Sequence, residues 1–166
     1  LLYIAPVVPD LKGTGLAIRA HHVLKALSSK YNVYLLIASQ KIREPYTLSG
    51  VSKYCRNAVF LPVPYLREPW MLFQQVFRVI LPKIYYRIFP RPSEWIYVSE
   101  KRLKALRHLF HGIHFDIVHI FRLYTFPFAE RFPYLNRPSL IQLDLDDIES
   151  ITRRRLGELY ELNGNH

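Results

Sequence analysis

Three short groups of polar residues have the types and spacing to bind a small anionic or hydroxyl-rich ligand. The first is Gly13-Thr14-Gly15, which follows an apolar run and precedes a helical pattern that carries Arg19. Glycines let the backbone approach a ligand closely, and free N–H groups at a helix start attract anions. Acids usually occupy a helix start, but none occurs from residue 11 to residue 43. This group predicts a phosphate or acceptor-sugar contact; the alternative is a flexible connector followed by a solvated arginine.

The second group ends the apolar run in FDIVHIFRLYTFPF. Alternation with a period of two predicts that one strand face carries Phe115, Ile117, His119 and Phe121, and the other Asp116, Val118 and Ile120. His119 is a candidate ligand contact, and its alternative is a buried, hydrogen-bonded histidine. Arg122 follows the strand and is a candidate phosphate contact, or else a member of a structural ion pair.

The third group is the acidic end of SLIQLDLDDIES. Its aspartates could bind a metal, act as acid or base, or contact a sugar hydroxyl. Asp146 can instead cap a following helix, with Glu149 closing a capping box, which leaves Asp144 without an obvious structural task. We predict Asp144 and Asp146 as the catalytic candidates, and we predict no metal site because three-residue acidic patterns often arise by chance.

Short apolar runs typical of buried parallel strands alternate with helical patterns. The predicted strands are Leu1–Ala5, Asn32–Ala38, Ala58–Val63, Phe115–Phe121 and Ser139–Leu143. The predicted helical stripes are Ala20, Val23, Leu24 and Leu27; then Leu103, Leu106, Leu109 and Phe110 after a Ser99 cap; and finally Ile148, Ile151, Leu156 and Leu159 after Asp146. This order predicts an α/β fold, a Rossmann-like parallel sheet with helices on both faces.

Length and composition suit one domain covering residues 1–166, with a sizeable core. No apolar run reaches the roughly 18 residues of a membrane span. A single cysteine, Cys55, excludes an internal disulfide and fits a reducing compartment, so we expect a cytoplasmic protein. A formal charge of +10 favours anionic partners.

Residues 60–98 form an aromatic and basic segment that interrupts the alternation. It holds ten aromatic residues, six prolines, and five Lys/Arg against two Glu. Trp70, Phe73, Phe77 and Ile80 are expected to share one helix face before Pro82 ends the helix. Such a segment suits either the interface of an anionic membrane or the wall and core of the domain, and the sequence leaves both open.

Together these motifs resemble those of group 1 (family 4 type) glycosyltransferases. APVVPDLKGTGLAIRAHHVLKAL with YNVYLLIAS resembles the opening of that family, FDIVHIFRLYTFPF its Asp-Val-Val-His strand, and LIQLDLDDIES the strand that follows. The resemblance covers residues 1–40 and 115–150, with no match across residues 60–98. Two departures stand out: Phe121 stands where relatives often repeat histidine, and Asp144 or Asp146 stands where many carry a catalytic one.

The resemblance implies the N-terminal, acceptor-side domain of a GT-B enzyme, whose C-terminal donor-binding domain would lie outside this chain. It implies a retaining transfer from a nucleotide-sugar, with a UDP-sugar as the default co-substrate and no metal cofactor. The acceptor would be a sugar, a growing polysaccharide or a lipid-linked oligosaccharide. By position, Gly13, Thr14 and Gly15 would form the loop near the donor diphosphate, and Arg19 would lie on the helix behind it, where the diphosphate or the acceptor binds.

Two other functions remain as alternatives. One is a stand-alone module that binds an anionic membrane or polymer through residues 60–98, with peripheral contact at the inner face of the plasma membrane. The other is nucleic-acid binding, which the basic charge allows but no stacking platform or recognition helix supports. We therefore expect no nucleic-acid partner.

Overall fold

A computed structural model describes residues 1–39, 48–62, 100–130 and 138–145, with single residues between 73 and 88 and between 154 and 158. Five strands form one parallel sheet in the order β3-β2-β1-β4-β5. They are β1 Leu2–Ala5, β2 Tyr34–Ser39, β3 Asn57–Pro62, β4 Ile117–Phe121 and β5 Leu140–Asp144. Each of the five predicted runs is a strand whose ends lie within two residues of the prediction.

The helices that are described from end to end are α1 Gly15–Ser28, α2 Glu100–Leu109 and α3 Phe126–Glu130, with a 3₁₀ turn at Leu123–Thr125 before α3. The predicted stripe of α1 is confirmed, because Ala20 and Leu24 are buried while Val23 and Leu27 pack at the margin of the same cluster. Its apolar face therefore lies on the sheet and holds the polar residues of its first turns near the carboxyl ends of the strands.

The buried side chains of the described residues form two core clusters, one on each face of the sheet. On one face, α1 packs over Tyr3 of β1, Leu35 of β2 and Phe121 of β4. On the other, Leu106 of α2 and Phe128 of α3 pack against Leu2, Ile4, Leu36, Val118 and Ile120. Helices thus cover both faces of an all-parallel sheet, which confirms the predicted α/β, Rossmann-like class.

Two predicted side-chain positions are wrong, one in the face of the sheet and one in burial. Phe115 lies in the cluster of Val118 and Ile120, not on the face of His119, because β4 begins only at Ile117 and the alternation does not extend back to Phe115. Leu109 is 47% exposed, because α2 ends there and the buried stripe passes from Leu106 to Phe110. The Ser99 cap and the start of the last helix at Asp146 lie outside the described residues; 154, 155 and 158 are helical.

In the aromatic and basic segment, residues 73, 76, 77, 79 and 80 are helical, as are 84, 87 and 88. The rings of Phe73 and Phe77 stack with centroids 5.8 Å apart, as expected for a shared helix face. Leu81, which precedes Pro82, is no longer helical, in agreement with the predicted stop. Trp70 lies outside the described residues. None of the helices that the structure describes is long and apolar enough to cross a bilayer.

Candidate functional site

The strand order creates a crevice between β1 and β4 at the carboxyl edge of the sheet. From β1 the chain continues to β2 on one side, whereas β5 lies on the other side of β4. Loops after β1 and β4 therefore diverge, which is the arrangement that binds ligands in open parallel sheets. The polar groups singled out in the sequence follow β1, β4 and β5, so this topology brings them to one edge.

Thr14 caps α1 at the crevice. Its side-chain oxygen accepts a hydrogen bond from the backbone N–H of Ala17 at 3.4 Å, and the first turn contains no acid. Asp10 in the preceding loop is instead held by the backbone N–H of Lys12, which donates to its carboxylate at 3.0 Å. The positive end of α1 is thus left without a carboxylate of its own in the first turn.

The two glycines of this loop have different structural roles. A Cβ on Gly13 would lie 2.7 Å from the Cβ of Ala17, so packing against α1 requires glycine there. A Cβ on Gly15 would meet nothing within 4 Å, and its backbone is not left-handed. Local packing therefore accounts for Gly13, while Gly15 leaves space in front of the first turn of α1.

Arg19 crosses the end of β4 and reaches β5. One of its terminal guanidinium nitrogens donates to an Asp144 carboxylate oxygen at 3.0 Å, and its Cζ lies 5.8 Å from the ring centroid of Phe121. The Arg19 side chain is 45% exposed and that of Asp144 21%. Asp144, which the sequence left without a structural task, therefore has a cationic partner, and Arg19 is not simply a solvated surface residue.

Arg122 follows β4 in a conformation that favours glycine, with φ 71°. Its backbone N–H donates to the Asp144 carbonyl at 2.9 Å, and its own carbonyl accepts from the Thr125 backbone N–H at 3.2 Å and the Thr125 hydroxyl at 3.1 Å. That hydroxyl also lies 3.0 Å from the Phe121 carbonyl, and Thr125 is almost fully buried. Such strain persists only where the surroundings enforce it, and it concentrates at functional sites.

His119 lies inside the domain, in β4, two residues before the end of that strand at the crevice. It is buried, its Nδ1 lies 3.3 Å from Gln142 Oε1, and its ring centroid is 5.4 Å from that of Tyr3. Burial lowers the pKa of His119, while the hydrogen bond to Gln142 and the charge of Asp144 oppose that shift. With Nδ1–H donating to Gln142, Nε2 presents a lone pair that has no partner among the described residues.

Tyr3 connects this interior to the crevice and was not singled out from the sequence. Its hydroxyl donates to the Ala20 carbonyl of α1 at 3.3 Å. Burial, followed by the negative charge of Asp144, raises the pKa of Tyr3, and Arg19 acts in the opposite sense. Tyr3 and Gln142 could have been found only from strand register, which places both beside His119, since each reads as an ordinary strand residue.

The structure thus brings Gly13, Thr14, Gly15, Arg19, Arg122 and Asp144 to one edge, with His119 below it. The other catalytic candidate, Asp146, lies outside the described residues. Where the structure describes the chain, no three His, Cys, Asp or Glu side chains gather as a metal site. Comparison with protein-family models, with curated proteins and with solved structures gave no match to this chain.

Proposed function

We propose that this chain is the acceptor-binding half of a retaining glycosyltransferase. The enzyme would move a sugar from a nucleotide-sugar, with UDP as the carrier, to a growing polysaccharide or a lipid-linked oligosaccharide. The observation that carries the proposal is the Arg19–Asp144 contact, which joins the first and third polar groups across the end of β4. It places a cation and a carboxylate together at the edge where parallel sheets bind ligands.

The chemistry of each group fits one part of the transfer. A leaving diphosphate gains negative charge as the glycosidic bond breaks, and helix N–H groups with a nearby guanidinium stabilise such charge. The acid-free start of α1, the space at Gly15 and Arg19 supply these features. The Asp144 carboxylate can accept a hydrogen bond from a sugar hydroxyl, and its contact with Arg19 at 3.0 Å holds it at the end of β5.

Binding is tested on the chain itself by nuclear magnetic resonance titration with UDP-glucose, UDP, inorganic pyrophosphate and uridine. We expect weak binding of the three phosphate-containing probes, with the largest amide shifts at Gly13–Gly15 and Arg122 and none from uridine. Arg19→Ala should weaken binding, whereas Lys25→Ala, in the last turn of α1, should not. Shifts confined to β3, or equal losses in both variants, would contradict the proposal.

Transfer is tested in the protein encoded by the natural open reading frame, read beyond His166. A second α/β domain encoded after His166 supports the proposal, and a stop codon directly after His166 would overturn it. In the encoded enzyme, Asp144→Asn should lower kcat by about a hundredfold. Asp116→Asn, whose side chain is 78% exposed at the opposite edge of the sheet, should leave kcat unchanged.

A further inference from the structure

Exposed apolar side chains are concentrated between residues 73 and 88. Nine residues of this stretch are described, and seven of them are exposed large apolar side chains: Phe73, Val76, Val79, Ile80, Leu81, Ile84 and Ile88. Their exposed fractions run from 42% at Leu81 to 76% at Val79. Apolar surface of this extent on a folded chain marks an interaction site, whereas scattered single residues do not.

Helical spacing gathers these side chains. Phe73, Val76 and Ile80 are separated by three and four residues, so they lie on one side of their helical stretch, where Phe73 stacks on Phe77. Ile84 and Ile88 have the same relation in the next stretch, and exposed Arg87 stands between them in sequence. Neither of the core clusters formed by the described residues includes any of these seven side chains.

The charge of the segment identifies the occupant. Residues 60–98 carry five Lys/Arg against two Glu on a chain of net charge +10, so a second copy would meet a surface of like charge. Single-stranded nucleic acid stacks on aromatic rings and pairs with cations, which leaves exposed Val and Ile side chains without a role. Aliphatic side chains among Trp, Tyr and basic residues match acyl chains beneath anionic headgroups.

We propose that the exposed apolar side chains described between residues 73 and 88 dock on the surface of an anionic lipid bilayer, inserted at the boundary between the headgroups and the acyl chains. This docking does not depend on the proposed sugar transfer. It selects the membrane-facing alternative for the aromatic and basic segment, which the sequence had left beside a core role.

The test is sedimentation of the full chain with vesicles of phosphatidylcholine alone or mixed equally with phosphatidylglycerol. The expected result is binding to the mixed vesicles, several-fold weaker binding to phosphatidylcholine, and only partial loss in high salt. Both tryptophans of the chain, Trp70 and Trp95, belong to residues 60–98, so their fluorescence reports on this segment. Brominated lipid should quench it.

Matched variants separate insertion from simple charge attraction. Val76→Ser with Ile84→Ser removes side chains that are 48% and 47% exposed, and we expect roughly tenfold weaker binding to mixed vesicles. Leu109→Ser with Leu123→Ser removes side chains that are 47% and 50% exposed elsewhere, and binding should be retained. Circular dichroism of both double variants confirms that they fold.

Three results would overturn the proposal. The first is no binding to mixed vesicles. The second is binding that high salt abolishes and that the Val76/Ile84 variant leaves unchanged, since this is attraction by basic charge alone. The third is a concentration-dependent dimer in light scattering that the same variant dissociates, since a second copy would then cover the surface.

Discussion

Arg19 and Asp144, 125 positions apart in sequence, meet at 3.0 Å across the end of β4. The contact links the helix after the first strand to the end of the fifth, and the ring of Phe121 lies beneath the guanidinium. Residues of α1, β4 and β5 meet at this contact. The pair therefore defines the geometry of the proposed site more closely than any single motif.

A double-mutant cycle on Arg19→Ala and Asp144→Ala should give a coupling of about 0.5–1 kcal/mol in urea unfolding. The value is modest because the arginine is 45% exposed, and water screens part of the attraction. The matched control is the Arg154–Glu158 pair, whose atoms lie 3.8 Å apart and whose side chains are 72% and 61% exposed. Its coupling should be smaller, and an equal or larger one would mean that the crevice pair has no special geometry.

Gly13→Ala should lower the free energy of unfolding by about 2 kcal/mol, because the new Cβ would overlap the Cβ of Ala17. Gly15→Ala, two residues on, places its methyl group in open space and should be neutral or slightly stabilising. Thermal unfolding of both variants checks this. Equal destabilisation would show that the loop, and not the contact with α1, requires glycine.

Arg122→Gly should raise the free energy of unfolding by about 1 kcal/mol, since glycine adopts a φ of 71° without steric cost. Arg122→Ala is the control, because it removes the charge and keeps the strained backbone. A gain for alanine equal to that for glycine would place the effect in the side chain. The comparison uses chemical denaturation.

The imidazole of His119 should titrate below its ordinary value of 6.5, because burial disfavours its charged form. The unfolded chain takes up this proton near 6.5 and the folded chain only at lower pH. His119 therefore destabilises the fold as pH falls from 6.5 towards its folded pKa, and it has no such effect at higher pH. Histidine ring resonances followed against pH measure the midpoint, and a value at or above 6.5 would refute the prediction.

The strands show most clearly how much of the fold could be predicted from the sequence. Buried parallel strands must be apolar on both faces, so their runs were visible and their ends were located within two residues. The stripe of α1 was equally readable, because helical spacing determines which side chains share a face. Phe115 and Leu109 were misassigned because each lies at or beyond the end of an element, where a period no longer specifies direction.

Residue types and local spacing by themselves determined the fold class and the three polar groups of the site. Only the tertiary structure paired Arg19 with Asp144, assigned Gly13 to a contact with Ala17, and showed that seven apolar side chains described between residues 73 and 88 are exposed. The physical reason is that a periodic pattern specifies which residues share a face. What that face meets depends on strand order, which brings together residues far apart in sequence.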